Sequence, residues 1–473
     1  MPGEERLPTT RGRSRLAGWC ARGSRAVFAL AFWLAMMTPA WDVGAFSWWP
    51  LATFTLSGQR FQAGALGLLP ALAVLLWVGT RLLDGRRRGW RWGPAHVTLP
   101  LLLLSGWTLL RSWPVHNRHI LAIVLIAVGV YVGTYGYLLQ QGGTRWCLIL
   151  IAVLMAVQGG VASAQFLRQG AVGLAWMGEG ALDPAGQGVS VIEAGGQRWL
   201  RAYGLTAHPN VLGGYLAMSI LICLGALRSV KRGGRPFVWA AIVLGALGLF
   251  CSFSRSAWLG TAAGLAYLGA TTQPWQGLDW RSPHVRRALA VAGVLLAACG
   301  LALALLYGEL LRARLLRLGS PLEATSIQER VVDYAQAWGL IRDVPLKGVG
   351  SGYYILALWA GVGEDRPPGF RKVHNAYLLA TAELGVVGAV AWASTLLVAP
   401  LAVARRALRS DRRGGPQARP EAGWAAAFCC ALVLCLFDSY LYVPSTWWAA
   451  LFMGLLAAGY ALAAGRERGG EAD

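Results

Sequence analysis

Apolar runs of 14 to 23 residues recur along this 473-residue chain and constrain its fold more than any other feature. About 20 apolar residues in a helix cross the hydrocarbon layer of a bilayer. Only 14% of the residues are charged, whereas soluble proteins carry about 25%. The sequence therefore predicts an all-α polytopic membrane protein and excludes a soluble enzyme, a secreted domain and a disordered scaffold.

The apolar runs define twelve predicted membrane-spanning helices. The first six cover residues 26–41, 62–80, 97–110, 120–139, 146–166 and 211–227. The other six cover residues 237–253, 257–270, 288–307, 376–398, 424–440 and 446–464. The third and eighth are the shortest, so they are the weakest members of the set.

The distribution of basic residues predicts the orientation. A net charge of +21 would suggest nucleic-acid binding in a soluble protein, but in a membrane protein the side on which the charges lie matters more. With twelve spans, 27 of the 43 Lys and Arg residues fall on the side of the N-terminus, so the positive-inside rule places both termini in the cytoplasm. No nucleic-acid partner is expected.

The same topology divides the chain into segments. A basic cytoplasmic tail (1–25) precedes helices one to nine (26–307), which include an external loop at 167–210. A large periplasmic loop (308–375) then leads into helices ten to twelve (376–464) and a second cytoplasmic tail (465–473). A loop of 68 residues is too long to be a simple connection and is expected to be functional.

The large loop carries a helical pattern of its own. Ser326-Ile-Gln-Glu329 resembles a capping box, and Asp343-Val-Pro345 is a stop signal. Apolar residues recur between them at helical spacing: Val331, Tyr334, Ala335, Trp338 and Ile341. The pattern predicts an amphipathic helix that lies along the outer membrane face or covers a cavity.

Four basic residues are predicted at the outer surface, where positive charge is disfavoured. They are Arg201, Arg255, Arg330 and His374. Guanidinium groups bind phosphate and diphosphate through a planar fork of donors. A histidine in the first turn of a helix is favoured in its neutral form and can act as a general base. Together they could bind a lipid diphosphate and catalyse glycosyl transfer with inversion and without a metal.

Each of these residues also has a simpler interpretation. Arg255 could contact lipid headgroups, and His374 could be an ordinary helix-start residue. His208, before Pro209-Asn210, is expected to start a helix rather than to catalyse. Glu383, inside the tenth helix, is expected to pair with a neighbouring helix. Gly348-Val-Gly-Ser-Gly352 lacks the Lys-Ser/Thr of a phosphate-binding loop and is expected to be a hinge.

Metal catalysis has little support in the sequence. A metal-dependent membrane glycosyltransferase is expected to carry acidic pairs such as D-x-D in an outer loop. Here Asp42 stands alone, and Glu364-Asp365 are adjacent in a proline-rich segment. None of the eight cysteines has a spacing typical of zinc ligands. No metal and no cofactor are therefore expected.

With these residues in view, the sequence between Arg201 and Trp392 resembles the O-antigen ligase family, whose superfamily also contains O-antigen polymerases and pilin O-oligosaccharyltransferases. The matching features are Arg201-x-x-Gly204 with Pro209-Asn210, Ser254-Arg-Ser-Ala-Trp258, Arg330 with Trp338, Pro345 and Gly348-Val-Gly350, and His374-Asn-x-x-Leu378 with Glu383-Leu-Gly385 and Gly388. The first five predicted helices match only in number and hydropathy.

The resemblance implies a GT-C-like membrane fold with a large structured periplasmic loop, in the cytoplasmic membrane of a bacterium. It implies an undecaprenyl-diphosphate-linked glycan as donor and a lipid A-core or similar glycan as acceptor, with the active site on the periplasmic face. Arg201 and Arg330 would act at the diphosphate and His374 as the base. The candidate substrate-binding residues are Arg255, Asn210, Asn375 and Tyr334.

Two kinds of alternative remain open at this stage. Within the superfamily, the motifs do not separate a ligase from an O-antigen or exopolysaccharide polymerase, or from a protein O-oligosaccharyltransferase. Outside it, the chain could be a transporter or flippase of lipid-linked sugars. Such transporters often contain internal repeats, and the sequence shows none.

Overall fold

The structure is a computed structural model. It describes residue 19, residues 50–56, 59–64, 93–112, residue 131, residues 144–177, 179–206, 208–272, 305–314, 321–362, 372–410, 421–439, 441–442, 456–461 and residue 463. The chain divides into two compact units. Unit 1 draws on residues 1–154, 338–398 and 438–473, and unit 2 on residues 155–337 and 399–437.

The described elements are mainly helical. The helices are α1 (Ala95–Ser112), α2 (Thr144–Arg168), α3 (Pro209–Ala226), α4 (Arg235–Cys251), α5 (Arg255–Thr272), α6 (Pro321–Asp343), α7 (Tyr354–Val362), α8 (Ala376–Ser410) and α9 (Glu421–Leu434). Two antiparallel hairpins accompany them: β1 (Pro50–Leu56) with β2 (Gln59–Gly64), and β3 (Val191–Ala194) with β4 (Gln197–Leu200).

Seven of the predicted membrane spans coincide with helices α1–α5, α8 and α9. Four described helical stretches are long and apolar enough to cross a membrane: Leu148–Arg168, Pro209–Ala226, Arg232–Cys251 and Ala376–Arg409. The predicted span 26–41 and most of the spans 62–80, 120–139, 288–307 and 446–464 lie outside the described residues. The polytopic membrane class is thus supported, whereas the number of twelve stays a prediction.

The beginning of the second predicted helix is wrong. Residues 62–64 belong to strand β2, in which Gln62 pairs with Thr53 and Phe61 with Phe54. Ser57-Gly58, a turn-forming pair, stands between the two strands in the sequence. Hydropathy alone does not distinguish the end of a hairpin from the first turn of an apolar helix.

The helix predicted in the large loop exists, but it starts earlier than predicted. Helix α6 begins at Pro321, five residues before the proposed capping box, and proline is well suited to a first helical position. It ends at Asp343, as predicted. Among residues 328–343 of this helix, Asp333, Ala337 and Ile341 are buried, while Val331 and Trp338 are 63% and 52% exposed.

Unit 2 contains a tightly packed helical core. Helix α3 packs against α4, α5 and α9, and α9 packs against α5. Where α3 meets α9, a Cβ atom on Gly225 would overlap the backbone of Gly423. Small residues allow this close approach of helices, which is the usual mode of packing inside membranes.

Helix α8 is kinked in unit 1. Gly385 adopts a φ of 69°, which breaks the helix nine residues after its start at Ala376. The amide of Val386 donates to the Pro345 carbonyl at 2.9 Å instead of to its own helix. In return, the amides of Val349 and Gly350 donate to the Ala382 and Glu383 carbonyls, both at 2.9 Å. We call residues 344–352 the glycine loop; it packs into the kink, and the hinge role that the sequence suggested for Gly348–Gly352 stays a prediction.

Candidate active site

His374 lies immediately before helix α8. The Asn375 side-chain oxygen accepts hydrogen bonds from the amides of Tyr377, at 2.9 Å, and Leu378, at 3.0 Å. Asn375 is therefore the N-cap of α8. The prediction that His374 opens the helix is wrong by two residues, because the neighbouring asparagine satisfies the exposed backbone amides and leaves the imidazole outside the first turn.

Asp438 faces the imidazole. The Nδ1 atom of His374 lies 3.7 Å from Asp438 Oδ1. This is an ion-pair distance and longer than a hydrogen bond. The His374 side chain is 38% exposed and that of Asp438 is 15% exposed. The site thus presents one ring nitrogen to a carboxylate and keeps the ring accessible to solvent.

Sequence reasoning missed Asp438, because the predicted span 424–440 contained it. Helix α9 ends at Leu434, so Asp438 lies beyond the helix, where its Oδ1 also accepts a hydrogen bond from the Ser439 amide at 2.8 Å. A carboxylate near the end of an apolar run is costly to place. The presence of a carboxylate at that position was therefore the sequence signal that could have identified Asp438 as a functional residue.

A turn holds the stretch of chain that contains Asp438, which we call the Asp438 segment. The amide of Tyr442 donates to the Ser439 carbonyl at 3.0 Å. The Tyr442 ring packs edge-on against Trp392 of α8, with ring centroids 5.7 Å apart. Burial and the neighbouring Glu383 carboxylate raise the pKa of Tyr442 well above its usual range. Tyr442 therefore stays a phenol and links the Asp438 segment to α8.

Glu383, which was predicted to pair with a neighbouring helix, has its partners in the glycine loop, at Tyr354 at the start of α7 and at Tyr442. Its side chain is fully buried, and its Oε2 accepts a hydrogen bond from the Gly352 amide at 2.9 Å. Its backbone carbonyl accepts from Gly350. Glu383 therefore binds the end of the glycine loop through both its side chain and its backbone.

Arg201 is held tightly in unit 2. Its side chain is only 6% exposed. Its Nε donates to the Ser252 carbonyl at 2.9 Å and its Nη2 to the Asn210 side-chain oxygen at 2.7 Å. The backbone joins the same contact, since Ala202 N donates to Cys251 O at 2.9 Å. Arg201 thus connects the start of α3 to the turn after α4.

Two buried glutamines of α2 hold the segment that follows Arg201. Gln165 accepts from the amides of Tyr203 and Gly204, at 3.0 and 2.8 Å, and donates to the Gly204 carbonyl at 2.8 Å. Gln158 accepts from the Leu205 amide at 2.8 Å. Both side chains are completely buried. The arginine therefore lies at the start of a rigid segment.

His208 caps helix α3, which confirms the prediction that it starts a helix. Its Nδ1 accepts a hydrogen bond from the Asn210 amide at 3.1 Å, with Pro209 in the first helical position. Its Nε2 lies 3.2 Å from the Ser190 hydroxyl. Accepting through Nδ1 requires that this nitrogen carries no proton.

Arg255 and Arg314 link two backbone segments reciprocally. Arg255, the first residue of α5, donates to the Arg314 carbonyl at 2.9 Å. Arg314, in the helical segment 305–314, donates to the Phe253 carbonyl at 2.9 Å. Sequence reasoning missed Arg314, because it follows an apolar run and was not part of any motif identified in the sequence. The turn 252–254 thus receives guanidinium donors from both Arg201 and Arg314.

Arg330 lies in the middle of α6, whereas the capping box predicted at Ser326–Glu329 would have placed it in the first turn. Its side chain is half-buried, as is that of Tyr334 one turn later. Within the described residues, no hydrogen bond or ion pair of the Arg330 guanidinium is present. Arg330 therefore differs from Arg201 and Arg255, whose guanidinium groups bind backbone carbonyls.

The structure brings some of the predicted site residues into contact. Arg201 and Asn210 are hydrogen-bonded in unit 2, which also contains Arg255, Arg330 and Tyr334. His374 and Asn375 belong to unit 1, where His374 meets Asp438. The convergence of all of them on one substrate stays a prediction. Among the described residues, no group of three His, Cys, Asp or Glu side chains is arranged to hold a metal ion.

Residues 240–393 match the family model described as O-antigen ligase (Wzy_C). No curated protein matches the chain. The matched segment contains Arg255, Arg330, His374 and Glu383. Members of the family are membrane glycosyltransferase-like ligases and polymerases. The resemblance to this family is therefore confirmed over residues 240–393.

Proposed function

We propose that this chain, which carries an O-antigen ligase family domain over residues 240–393, is a glycosyltransferase of the O-antigen ligase type. It transfers a glycan from an undecaprenyl-diphosphate donor to a hydroxyl of a lipid A-core or similar acceptor. The reaction takes place on the periplasmic face of the bacterial cytoplasmic membrane, inverts the anomeric centre and uses no metal.

The contact between His374 and Asp438 is the observation that carries this proposal. A base for glycosyl transfer needs a ring nitrogen that a hydroxyl can reach, and His374 is 38% exposed. It also needs a group that stabilises the ring once it is protonated. Asp438 Oδ1 is 3.7 Å from Nδ1, so its carboxylate can hold the proton on Nδ1 and stabilise the positive ring that forms when Nε2 takes a proton from the acceptor.

The proposed reaction is a single displacement. The Nε2 atom of His374 takes the proton of the acceptor hydroxyl, whose oxygen forms a bond to the anomeric carbon of the donor glycan. The bond between that carbon and the diphosphate oxygen breaks, and both of its electrons leave with the lipid diphosphate. Attack from the face opposite the leaving group inverts the anomeric configuration.

Arginines would neutralise the departing diphosphate. Arg330 is the best-supported candidate, because its half-buried guanidinium makes no hydrogen bond or ion pair within the described residues and a guanidinium binds two phosphate oxygens at once. Arg201 and Arg255 are proposed to contribute positive charge while their hydrogen bonds to carbonyls hold the surrounding backbone. Asn210, Asn375 and Tyr334 remain proposed substrate contacts.

Transfer by the purified full-length chain is the primary test. We expect conversion of a lipid-diphosphate-linked glycan and an acceptor glycolipid in detergent, with the same rate in EDTA. His374→Ala and Arg330→Ala should each reduce kcat/KM at least roughly 100-fold while the protein remains folded. Arg342→Ala, an exposed arginine on the same helix, is the matched control for Arg330→Ala and should retain activity. Full activity in both His374→Ala and Arg330→Ala would contradict the proposal.

The products separate the alternatives. A ligase joins a polymer to the acceptor, and its deletion strain accumulates lipid-linked polymer. A polymerase deletion strain is left with single repeat units, and a protein O-oligosaccharyltransferase labels a protein. A transporter or flippase moves the donor without converting it, so product formation in detergent excludes transport as the sole activity.

A further inference from the structure

The kink of α8 exposes a row of backbone carbonyls that other parts of unit 1 satisfy. In an unbroken helix the carbonyls of residues 382–384 would accept from the amides four residues later. Here Ala382 and Glu383 accept from the glycine loop instead. The third carbonyl, of Leu384, accepts from the indole Nε1 of Trp107 at 2.8 Å. Helix α1 thus completes the hydrogen bonding of the kink.

Space for Trp107 is provided by a glycine on the far side of the kink. A Cβ atom on Gly388 would overlap the side chains of Trp107 and Leu384. The indole therefore lies against the bare backbone of α8 at the point where the helix resumes. This fit depends on the ring as well as on its N–H group.

Arg111, one turn after Trp107 on the same face of α1, binds the glycine loop. Its Nε donates to the Lys347 carbonyl at 2.8 Å and its Nη2 to the Gly348 carbonyl at 3.2 Å. Gly348 has a φ of 66°, and a Cβ atom there would overlap the backbone of Glu383 and Gly385. Trp107 therefore binds the kinked helix, and Arg111 binds the glycine loop that is inserted into the kink. We call this packing of the loop into the kink the interlock.

The kink separates residues 376–384, which we call the lever, from the rest of α8. Residues 376–384 run from the Asn375 cap to Gly385, about 13 Å at 1.5 Å per residue, and His374 lies at the free end. Because Gly385 interrupts the helical hydrogen bonds, the direction of the lever depends on the contacts around the kink. A displacement of about 1 Å at a reacting group can cost roughly 100-fold in rate.

We infer that Trp107 and Arg111 are positioning residues. By holding the glycine loop in the kink of α8, they fix the direction of the lever and so keep His374 beside Asp438. This inference rests on the proposed function of His374 as a base. It assigns a role in the reaction to a helix outside the family-matched residues 240–393.

Two conservative substitutions test it. Trp107→Phe keeps an aromatic ring but removes the donor to Leu384, and Arg111→Lys keeps the charge but loses the two-pronged donor. We expect each to lower kcat roughly tenfold, because a carbonyl loses its donor and the lever shifts. The KM for the lipid diphosphate should stay unchanged, and the melting temperature should fall by no more than about 4 °C, which leaves the protein folded at the assay temperature. Trp239→Phe, at an exposed tryptophan of α4, and Arg198→Lys, at an exposed arginine bonded to the Ala185 carbonyl, are matched controls.

A double variant separates positioning from general damage. If Trp107→Phe acts by moving His374 away from Asp438, it should cost little in a chain that already carries Asp438→Asn. A full additional tenfold loss in that background would overturn the inference. So would wild-type kcat in both single variants, or a loss of activity that only follows a loss of folded protein.

Hydrogen exchange provides a readout that needs no substrate. The amides of Val349, Gly350 and Val386 are bonded across the interlock and should exchange slowly in the wild type and faster in Trp107→Phe and Arg111→Lys. Unchanged exchange in both variants would overturn the inference even if the enzyme is active. A wild type that transfers no glycan would instead contradict the proposed function, and exchange would still decide whether α1 holds the loop.

Discussion

A histidine and an asparagine stand near the start of both α3 and α8, yet the histidine has a different role at each helix. At α3, His208 caps the helix through Nδ1, and Asn210 accepts from the buried Arg201. At α8, Asn375 caps the helix, and His374 is left to meet Asp438. The comparison shows that a histidine before an apolar helix becomes available for chemistry only when another residue satisfies the exposed amides.

The largest expected effect is on stability at the α3 side. Arg201→Ala leaves the Ser252 carbonyl and the Asn210 side-chain oxygen without the donors seen in the structure, which should destabilise the fold by about 2–4 kcal/mol. Thermal unfolding of the detergent-solubilised chain measures this loss. Arg198→Ala, at an exposed arginine three residues earlier, should have almost no effect. Equal melting temperatures for both variants would mean that Arg201 is not structural.

The next effect concerns activity at the α8 side. Asp438→Asn keeps the acceptor for the Ser439 amide but removes the charge that faces His374. We expect kcat to fall roughly 10- to 100-fold with no change in melting temperature, since the pair is partly exposed and the charge is screened. Asp183→Asn, at an exposed aspartate bonded to the Ala185 amide, is the control. A wild-type kcat in Asp438→Asn would remove the distinction between the two histidines.

The smallest effect tests the cap. His208→Ala should destabilise the chain by about 1 kcal/mol, the usual cost of losing an N-cap, and His208→Asn should restore most of it because asparagine is a strong capping residue. Activity per folded molecule should be unchanged in both variants. A loss of turnover in His208→Asn without a loss of stability would show that His208 has a catalytic role and that the two histidines do not differ in function.

The positions of the helices were largely predictable because hydropathy is a local property. Predicted spans 211–227 and 237–253 differ from α3 and α4 by only two residues at the start. The kink in α8 was not predicted, since the run 376–398 contains one charged residue, Glu383, in an otherwise mostly apolar stretch, and a glycine inside a helix does not by itself reveal a positive φ. Its cause is the glycine loop, more than 30 residues away in sequence.

The candidate site was predicted in its residue types but not in its pairings. Arg201 and Arg330 look alike in sequence, yet one is buried against a carbonyl 51 residues away and the other has no such bond within the described residues. Asp438 was hidden because it lies inside the predicted span 424–440 and 64 residues after His374. Spacing cannot predict contacts of this kind, since they depend on how separate helices pack.

The sequence by itself determined that this is a helical membrane protein with a segment that matches the O-antigen ligase family, because the length of apolar runs and local motifs can be recognised without knowledge of distant contacts. Only the tertiary structure decided which histidine caps a helix and which faces a carboxylate, and which tryptophan and arginine hold the kink. The physical reason is that each buried donor or acceptor must find a partner, and in this chain those partners come from segments far apart in sequence.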